Sequence, residues 1–194
     1  MAELALTPDQ ILDAAEDALR RFGPSKTTVV DVARALGVSH GTVYRHFASK
    51  AALQDAVAER WLAQVSSPLT EIAGSNGPAK ERLRHWFETL IAMKQEKVGS
   101  DPELFATYRA LAIEAREVVK RHVEMLMAQI EQIIASGVDE GVFTVADPAA
   151  AGRAVFDATI RFHNPAHASE WSDPESGPAF ERVWTLILAG LTAR

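Results

Sequence analysis

Between Thr28 and Lys50 the chain gathers hydroxyls, two histidines, a tyrosine and three cations on a stretch holding one carboxylate, Asp31. Such a set suits a polyanion. Guanidinium and ammonium groups neutralise phosphate, and hydroxyls donate to phosphate oxygens. An arginine can grip guanine with two hydrogen bonds, worth about 1–3 kcal/mol of base discrimination. At about 100° per residue of helix, Val43 and Phe47 define one face. Gly41 and Arg45 then point nearly opposite, with Thr42 close by and Tyr44 and His46 on the flanks. The outward face is short, polar and basic. Arg45 is placed for guanine, Thr42 for a base edge through its hydroxyl or methyl, and Gly41 for close approach of the backbone. Thr28, Ser39, Tyr44 and Lys50 are placed for phosphate, and Lys50 adds its charge to the start of a following helix.

These groups act together only if the local elements hold them. Thr7-Pro8-Asp9-Gln10 carries a capping hydroxyl, a proline at the first helical position and Gln three residues beyond the cap. Ile11, Ala15, Leu19 and Phe22 follow at helical spacing, and Gly23-Pro24 ends the helix. Thr28 caps a second helix bearing Val29, Val32, Ala33 and Leu36; Gly37 closes it, and Ser39 caps a third helix reaching about Phe47. Ala33, Gly37 and Val43 supply the small residue, the turn and the inward anchor that a helix-turn-helix needs, with its second helix free to enter a major groove. Ser49 caps a fourth helix bearing Leu53, Ala56, Val57, Arg60 and Trp61, expected to end near Pro68, with 67–78 as a connector.

Beyond the connector every segment reads as helix. Leu83, Trp86, Phe87, Leu90 and Ile91 form one stripe, Leu104, Phe105, Tyr108 and Leu111 another, and Val119, His122, Val123, Leu126, Ile130, Ile133 and Ile134 a long third. Two further helices are expected, one capped at Asp147-Pro148 and running to about His163, the other from Pro178 to the C-terminus, with a Pro-rich loop at 164–177. No convincing alternating strand is present in the sequence. The expected class is all-α: a three-helix N-terminal helix-turn-helix domain, residues 1–50, then a helical ligand-binding and dimerisation domain, residues 51–194, with helix 49–65 joining them.

Composition narrows the function classes. The 194 residues carry a net charge of −6, which alone would argue against a nucleic acid. The average misleads, because Lys26, Arg34, Arg45 and Lys50 face only Asp31 between Pro24 and Lys50, whereas 13 cations meet 18 anions from Trp61 onward. A small basic module sits on an acidic body. The absence of cysteine removes disulfides, thiol nucleophiles and thiolate zinc sites. Val183–Ala193, at 11 residues, falls short of the roughly 20 that span a bilayer. The stretch MAELALTPD has no basic n-region, so a cytoplasmic protein without leader or membrane anchor is expected.

Residues 28–53, TVVDVARALGVSHGTVYRHFASKAAL, resemble the DNA-binding signature of TetR/AcrR-family transcriptional regulators. The likeness covers roughly the first 60 residues; Ala51 departs from the acidic residue often found there. The resemblance implies phosphate contacts from Thr28, Ser39, Tyr44 and Lys50, and base readers at His40, Thr42, Arg45 and His46. The angular estimate sets His40 nearer the buried side. It further implies a homodimer built on the last two helices, a ligand held in the larger domain, and repression of a palindromic operator that the ligand relieves.

The body's own pattern supports two of these expectations. Helix 148–163 carries Val155 with Phe162 on one side and Phe156 with Ile160 on another, and helix 178–193 is apolar over more than half its circumference. A two-fold pairing buries that excess. Trp61, Trp86, Phe87, Leu90, Phe105, Tyr108, His122, Leu126 and Phe156 are the candidates to enclose a small apolar or aromatic effector. Pro165 breaks the helix that would align His163 with His167, so no metal is expected; no cofactor is implied either. Without a phosphate-cradling glycine loop, a nucleophile elbow or a recognisable carboxylate pair, no enzyme and no catalytic residue are expected. The alternative is a helical ligand- or partner-binding protein whose helix-turn-helix serves only packing.

Overall fold

The computed structural model describes residues 6–100 and 102–193; residues 1–5, part of the stretch on which the absence of a leader was read, lie outside them. Among the described residues the chain forms α1 (Pro8–Lys26), α2 (Val29–Ala35), α3 (His40–Tyr44), α4 (Lys50–Gly74), α5 (Ala79–Ser100), α6 (Pro102–Glu114), α7 (Arg116–Asp139), α8 (Pro148–His163), a 3-10 turn (Pro165–Glu170) and α9 (Ser176–Thr192). The all-α class holds. Two compact units contain them: Met1–Leu62 with Asp101–Lys120, and Ala63–Ser100 with Arg121–Arg194.

In the first unit the expected caps form. Thr7 and Gln10 close a capping box at α1, and Thr28 and Asp31 close another at α2. Gly23, at φ 75°, breaks the helical path of α1, as its position before Pro24 requires. Ile11, Ala15 and Leu19 are buried, but Phe22, expected on the same stripe, is 52% exposed. Buried Thr27 secures the corner by donating its hydroxyl to the carbonyls of Gly23 (2.8 Å) and Ala18 (3.1 Å). Trp61 stacks on Tyr108 at 4.6 Å, and Arg60 is held by Asp13 (2.8 Å) and Glu16 (2.9 Å). Burial and the nearby Glu16 charge push the Tyr108 phenol well above its ordinary range.

Helix α4 corrects the expected connector at 67–78. It passes through Pro68 and ends only at Gly74. Proline removes one N–H and costs about 3 kcal/mol inside a helix. Against this, Val65, Leu69 and Ala73 continue a stripe that is fully or almost fully buried on both sides of the proline. Burying a Val or Leu side chain is worth about 1.5–3 kcal/mol, so the stripe outweighs the break.

The second unit is built around α5, α7, α8 and α9. Arg82 donates to Ser136 Oγ at 2.5 Å, Trp86 Nε1 donates to Gln129 Oε1 at 2.9 Å, and Ala79 N donates to Glu140 Oε2 at 2.9 Å. These pairings set α5 antiparallel to α7. Gln129 passes the chain on, donating to Thr70 Oγ1 at 2.8 Å, so a polar string crosses an apolar core without an unpaired end. Arg84 lies over the rings of Phe180 and Trp184 at 5.1 and 5.4 Å and pairs with Glu88 and Glu181, fastening α9 to α5.

The 164–177 segment contains a 3-10 turn and the first residues of α9. Asn164 caps the 3-10 turn, Trp171 Nε1 donates to the Arg161 carbonyl at 2.9 Å, and Glu170 takes both Arg161 and His167 at 2.7 Å. α9 accordingly starts at Ser176, two residues before Pro178.

Gly137, near the end of α7, gives this unit its tightest approach. A Cβ there would lie 2.1 Å from Cδ2 of Phe143, whose ring is 2% exposed and enclosed by the core. Gly137→Ala is expected to lower the unfolding free energy by about 1–3 kcal/mol, read from urea denaturation of the purified protein.

Candidate nucleic-acid interface

The reading head is assembled from two short helices and their caps. Gly37 adopts φ 68° between α2 and α3, and Val38 N returns to the Ala33 carbonyl at 3.0 Å. Ala33 (2% exposed), Val32 and Val43 (both 0%) fill the space where α2 meets α3. The Ser39 hydroxyl caps α3 by accepting from Thr42 N at 3.2 Å and shares a proton with Thr42 Oγ1 at 2.9 Å. α3 proper ends at Tyr44 rather than Phe47, although Phe47 N still bonds the Val43 carbonyl at 3.0 Å, so the turn persists.

This frame leaves His40, Gly41, Tyr44, Arg45 and His46 exposed, Thr42 half-buried and Val43 fully inside. The exposed position of His40, edge-on to Tyr44 at 6.3 Å, corrects the angular estimate that set it toward the core. With α3 only five residues long, the whole of its outer side is available. Arg45 rests on Thr42 Oγ1 at 3.4 Å, a weak contact that leaves its other guanidinium donors outward.

The remaining predicted contacts already have structural work. Thr28 donates its hydroxyl proton to Asp31 Oδ2 at 2.6 Å while accepting from Asp31 N at 3.2 Å. The hydrogen bonds from Thr28 hold the Asp31 carboxyl below its ordinary range. Half-buried Lys50 donates from Nζ to the Ser25 carbonyl at 3.0 Å, which ties the start of α4 to the end of α1 and leaves two ammonium donors.

The residues expected to enclose an effector are all buried, but they fall into separate sets. Trp61, Phe105 and Tyr108 belong to the first unit; Trp86, Phe87, Leu90, His122, Leu126 and Phe156 belong to the second. Within the second set, Trp86 is committed to Gln129, and Phe87 packs on Trp86 and Trp184. Two residues absent from the expected set join it: Lys94, 6% exposed on α5, and His163, 5% exposed on α8. The signal for Lys94 was available, since Leu83, Phe87, Leu90 and Lys94 form a single helical stripe with a lysine at its end. His163 Nε2 meets Thr159 Oγ1 at 3.2 Å in the core, whereas His167 pairs with Glu170, so the two histidines do not converge. Burial, then the Lys94 charge, lowers both His122 and His163 to about 4; burial, then Lys97, lowers Lys94 to about 8.

Residues 79–184 match the family profile described as "Tetracyclin repressor-like, C-terminal domain", and residues 11–57 match "Bacterial regulatory proteins, tetR family". The chain belongs to the TetR family. Among curated relatives, the HTH-type transcriptional repressor Rv3405c of Mycobacterium tuberculosis is 39% identical over 69 residues, 36% of this chain and 35% of the relative. HTH-type transcriptional regulator TtgR of Pseudomonas putida is 43% identical over 51 residues, 26% of this chain and 24% of the relative. The matched part thus spans about a third or less of the length of these relatives. The fold is similar to FadR from Bacillus subtilis, solved in complex with stearoyl-CoA, with TM-score 0.67, 18% identity and coverage of 95% of this chain and 99% of that one. It is likewise similar to SmeT, the repressor of the Stenotrophomonas maltophilia multidrug efflux pump SmeDEF, with TM-score 0.67, 21% identity and coverage of 94% and 87%.

The depressed histidines make the stability of this TetR-family chain depend on pH. Between about 6.5 and 4 the unfolded chain binds protons that buried His122 and His163 refuse, so acidification favours unfolding. The thermal midpoint is expected to fall across that window, and less steeply in a His122→Gln, His163→Gln double variant, in scans followed by circular dichroism.

Proposed function

We propose that the protein is a cytoplasmic, non-enzymatic transcriptional regulator that binds a palindromic operator as a homodimer and acts as a repressor relieved by a small apolar or aromatic ligand. The observation that carries this reading is the exposed, basic outer side of α3, with Arg45, His40 and His46 held over the buried anchor Val43. Thr42, Arg45, His40 and His46 read base edges, while Tyr44, Ser39, Thr28 and Lys50 fix register on phosphates and Gly41 permits close approach. Family membership supports the reading, as do a relative named a repressor and a similar fold described as the repressor of an efflux pump. The FadR likeness, with its stearoyl-CoA, supports an apolar ligand class for the body. Among the described residues no helix is long and apolar enough to cross a membrane, in keeping with a partner in solution.

The partner subunit sits on α8 and α9. Their outer side forms an apolar groove lined by Ala151, Ala154, Ala158, Val183, Leu186 and Ile187, with Leu186 74% exposed. Small residues on α8 let a second copy approach closely, and exposed Leu186 with half-buried Ile187 supplies the area to bury. Two readers held by such a seam meet successive major grooves about 34–36 Å apart. α4 begins beside the reader and supplies residues to both units, so a ligand that favours one tilt of α4 misplaces both readers.

The deciding experiment is selection of genomic DNA fragments by the purified protein at physiological salt, with Arg45→Ala in parallel. Enrichment of one palindromic site is expected, and Arg45→Ala should relax it at one base pair. Lys50→Ala should instead weaken binding across sequences and reduce the salt slope by about one phosphate. No enrichment of any site by ligand-free protein would favour the helical ligand- or partner-binding alternative. Leu186→Glu, at an exposed position, should give a folded monomer by light scattering and lose the palindromic site.

A further inference from the structure

Lys94, His122 and His163 come from three helices and meet in the interior of the second unit. The register shows how. Trp86 lies against Gln129 on the antiparallel pair α5 and α7. Stepping two turns along each helix from that pairing brings Lys94 opposite His122. On α8, the His163 ring lies 4.7 Å from the Phe156 ring and 6.4 Å from Phe87, two turns before Lys94 on α5. The Lys94 charge acts on both imidazoles.

All three residues are more than nine-tenths buried, and among the described residues His122 Nε2 has no hydrogen-bond partner. An unsatisfied buried nitrogen costs about 1–3 kcal/mol, and native interiors seldom keep one without use. A core that needed only filling would place apolar groups here. Instead it collects three groups of one sign, each made harder to charge by burial and by its neighbour. Packing alone does not explain that choice.

We propose that Lys94, His122 and His163 form a binding site for the carboxylate of an amphipathic monocarboxylic acid, whose apolar body lies among Phe87, Phe156 and their neighbours. The proposal rests on the regulator reading and specifies the ligand class of its effector. A carboxylate accepts from the orphaned His122 nitrogen and from the lysine ammonium, two charge-assisted hydrogen bonds in a buried setting. One ammonium with the neutral His122 imidazole suits a single negative charge, and His163, whose Nε2 meets Thr159 Oγ1, forms the wall beside them. A divalent cation does not suit a site with an ammonium in it. The aromatic walls, in turn, exclude a small hydrated anion in favour of one joined to an apolar tail.

Octanoate and octanol share a tail and differ in the headgroup. Imidazole resonances of the free, full-length protein at neutral pH, assigned with His122→Gln and His163→Gln, are followed during titration with each. Octanoate is expected to shift both resonances, raise both histidine pKa values and bind roughly tenfold tighter than octanol, the worth of one charge-assisted hydrogen bond. Lys94→Met should remove that preference; if this variant does not fold, His163→Gln replaces it in the same comparison. Equal binding of the two probes, no shift with millimolar octanoate, or a preference that survives loss of Lys94 would overturn the site. The readout needs no DNA, so failure of operator selection leaves it intact, and its own failure leaves operator selection intact.

Discussion

A helix of five residues cannot hold itself. Isolated helices shorter than about 12–15 residues are marginal in water, and α3 is well below that length. Its shape therefore depends on Val43, fully buried against Val32 and Ala33, and on the Ser39 hydroxyl that satisfies the amide of Thr42. The same dependence runs outward. α2 is seven residues long and stands on its own capping box, and Thr27 locks the corner before it to α1. Each short element is specified by a cap and a buried anchor, and the outer side of α3 is what that arrangement leaves over.

The body follows a different rule. Its helices are long enough to be set by their apolar stripes, and polar groups inside it serve to choose one arrangement among several. The string from Thr70 through Gln129 to Trp86 fixes how far α5 slides along α7, because a shift by one turn would leave a buried amide and an indole N–H unpaired. Arg84 does the same at the edge, where its guanidinium lies over two rings and between two carboxylates. Lys94 and the two buried histidines stand apart from this pattern, since they gather three basic groups in an apolar interior and leave His122 Nε2 without a partner among the described residues.

Much of the head was legible because its signals are local. Thr7, Thr28, Ser39, Gly23 and Gly37 act within three or four residues of their positions, and the caps and turns appear where their chemistry puts them. Pro68 misled because its cost is local while the compensating burial of Leu69 and Ala73 is tertiary. The order of the 164–177 segment was not legible for a similar reason: Trp171 and Glu170 hold it through contacts with Arg161. Helical stripes showed that Trp61 and Tyr108 are interior but not that they stack on each other within the unit that holds α1. A lysine ending an apolar stripe was the readable sign of Lys94, yet it takes the register with α7 to place His122 across from it.

The division of labour within α3 and its flanking residues bears on how such a protein changes over time. Val43, Ser39 and Gly37 carry the fold, whereas His40, Arg45 and His46 extend into solvent with little to support. Surface positions of that kind tolerate substitution within about 0.5 kcal/mol. A lineage can therefore exchange the exposed side chains one at a time after gene duplication and drift to a new recognition surface without passing through an unfolded ancestor.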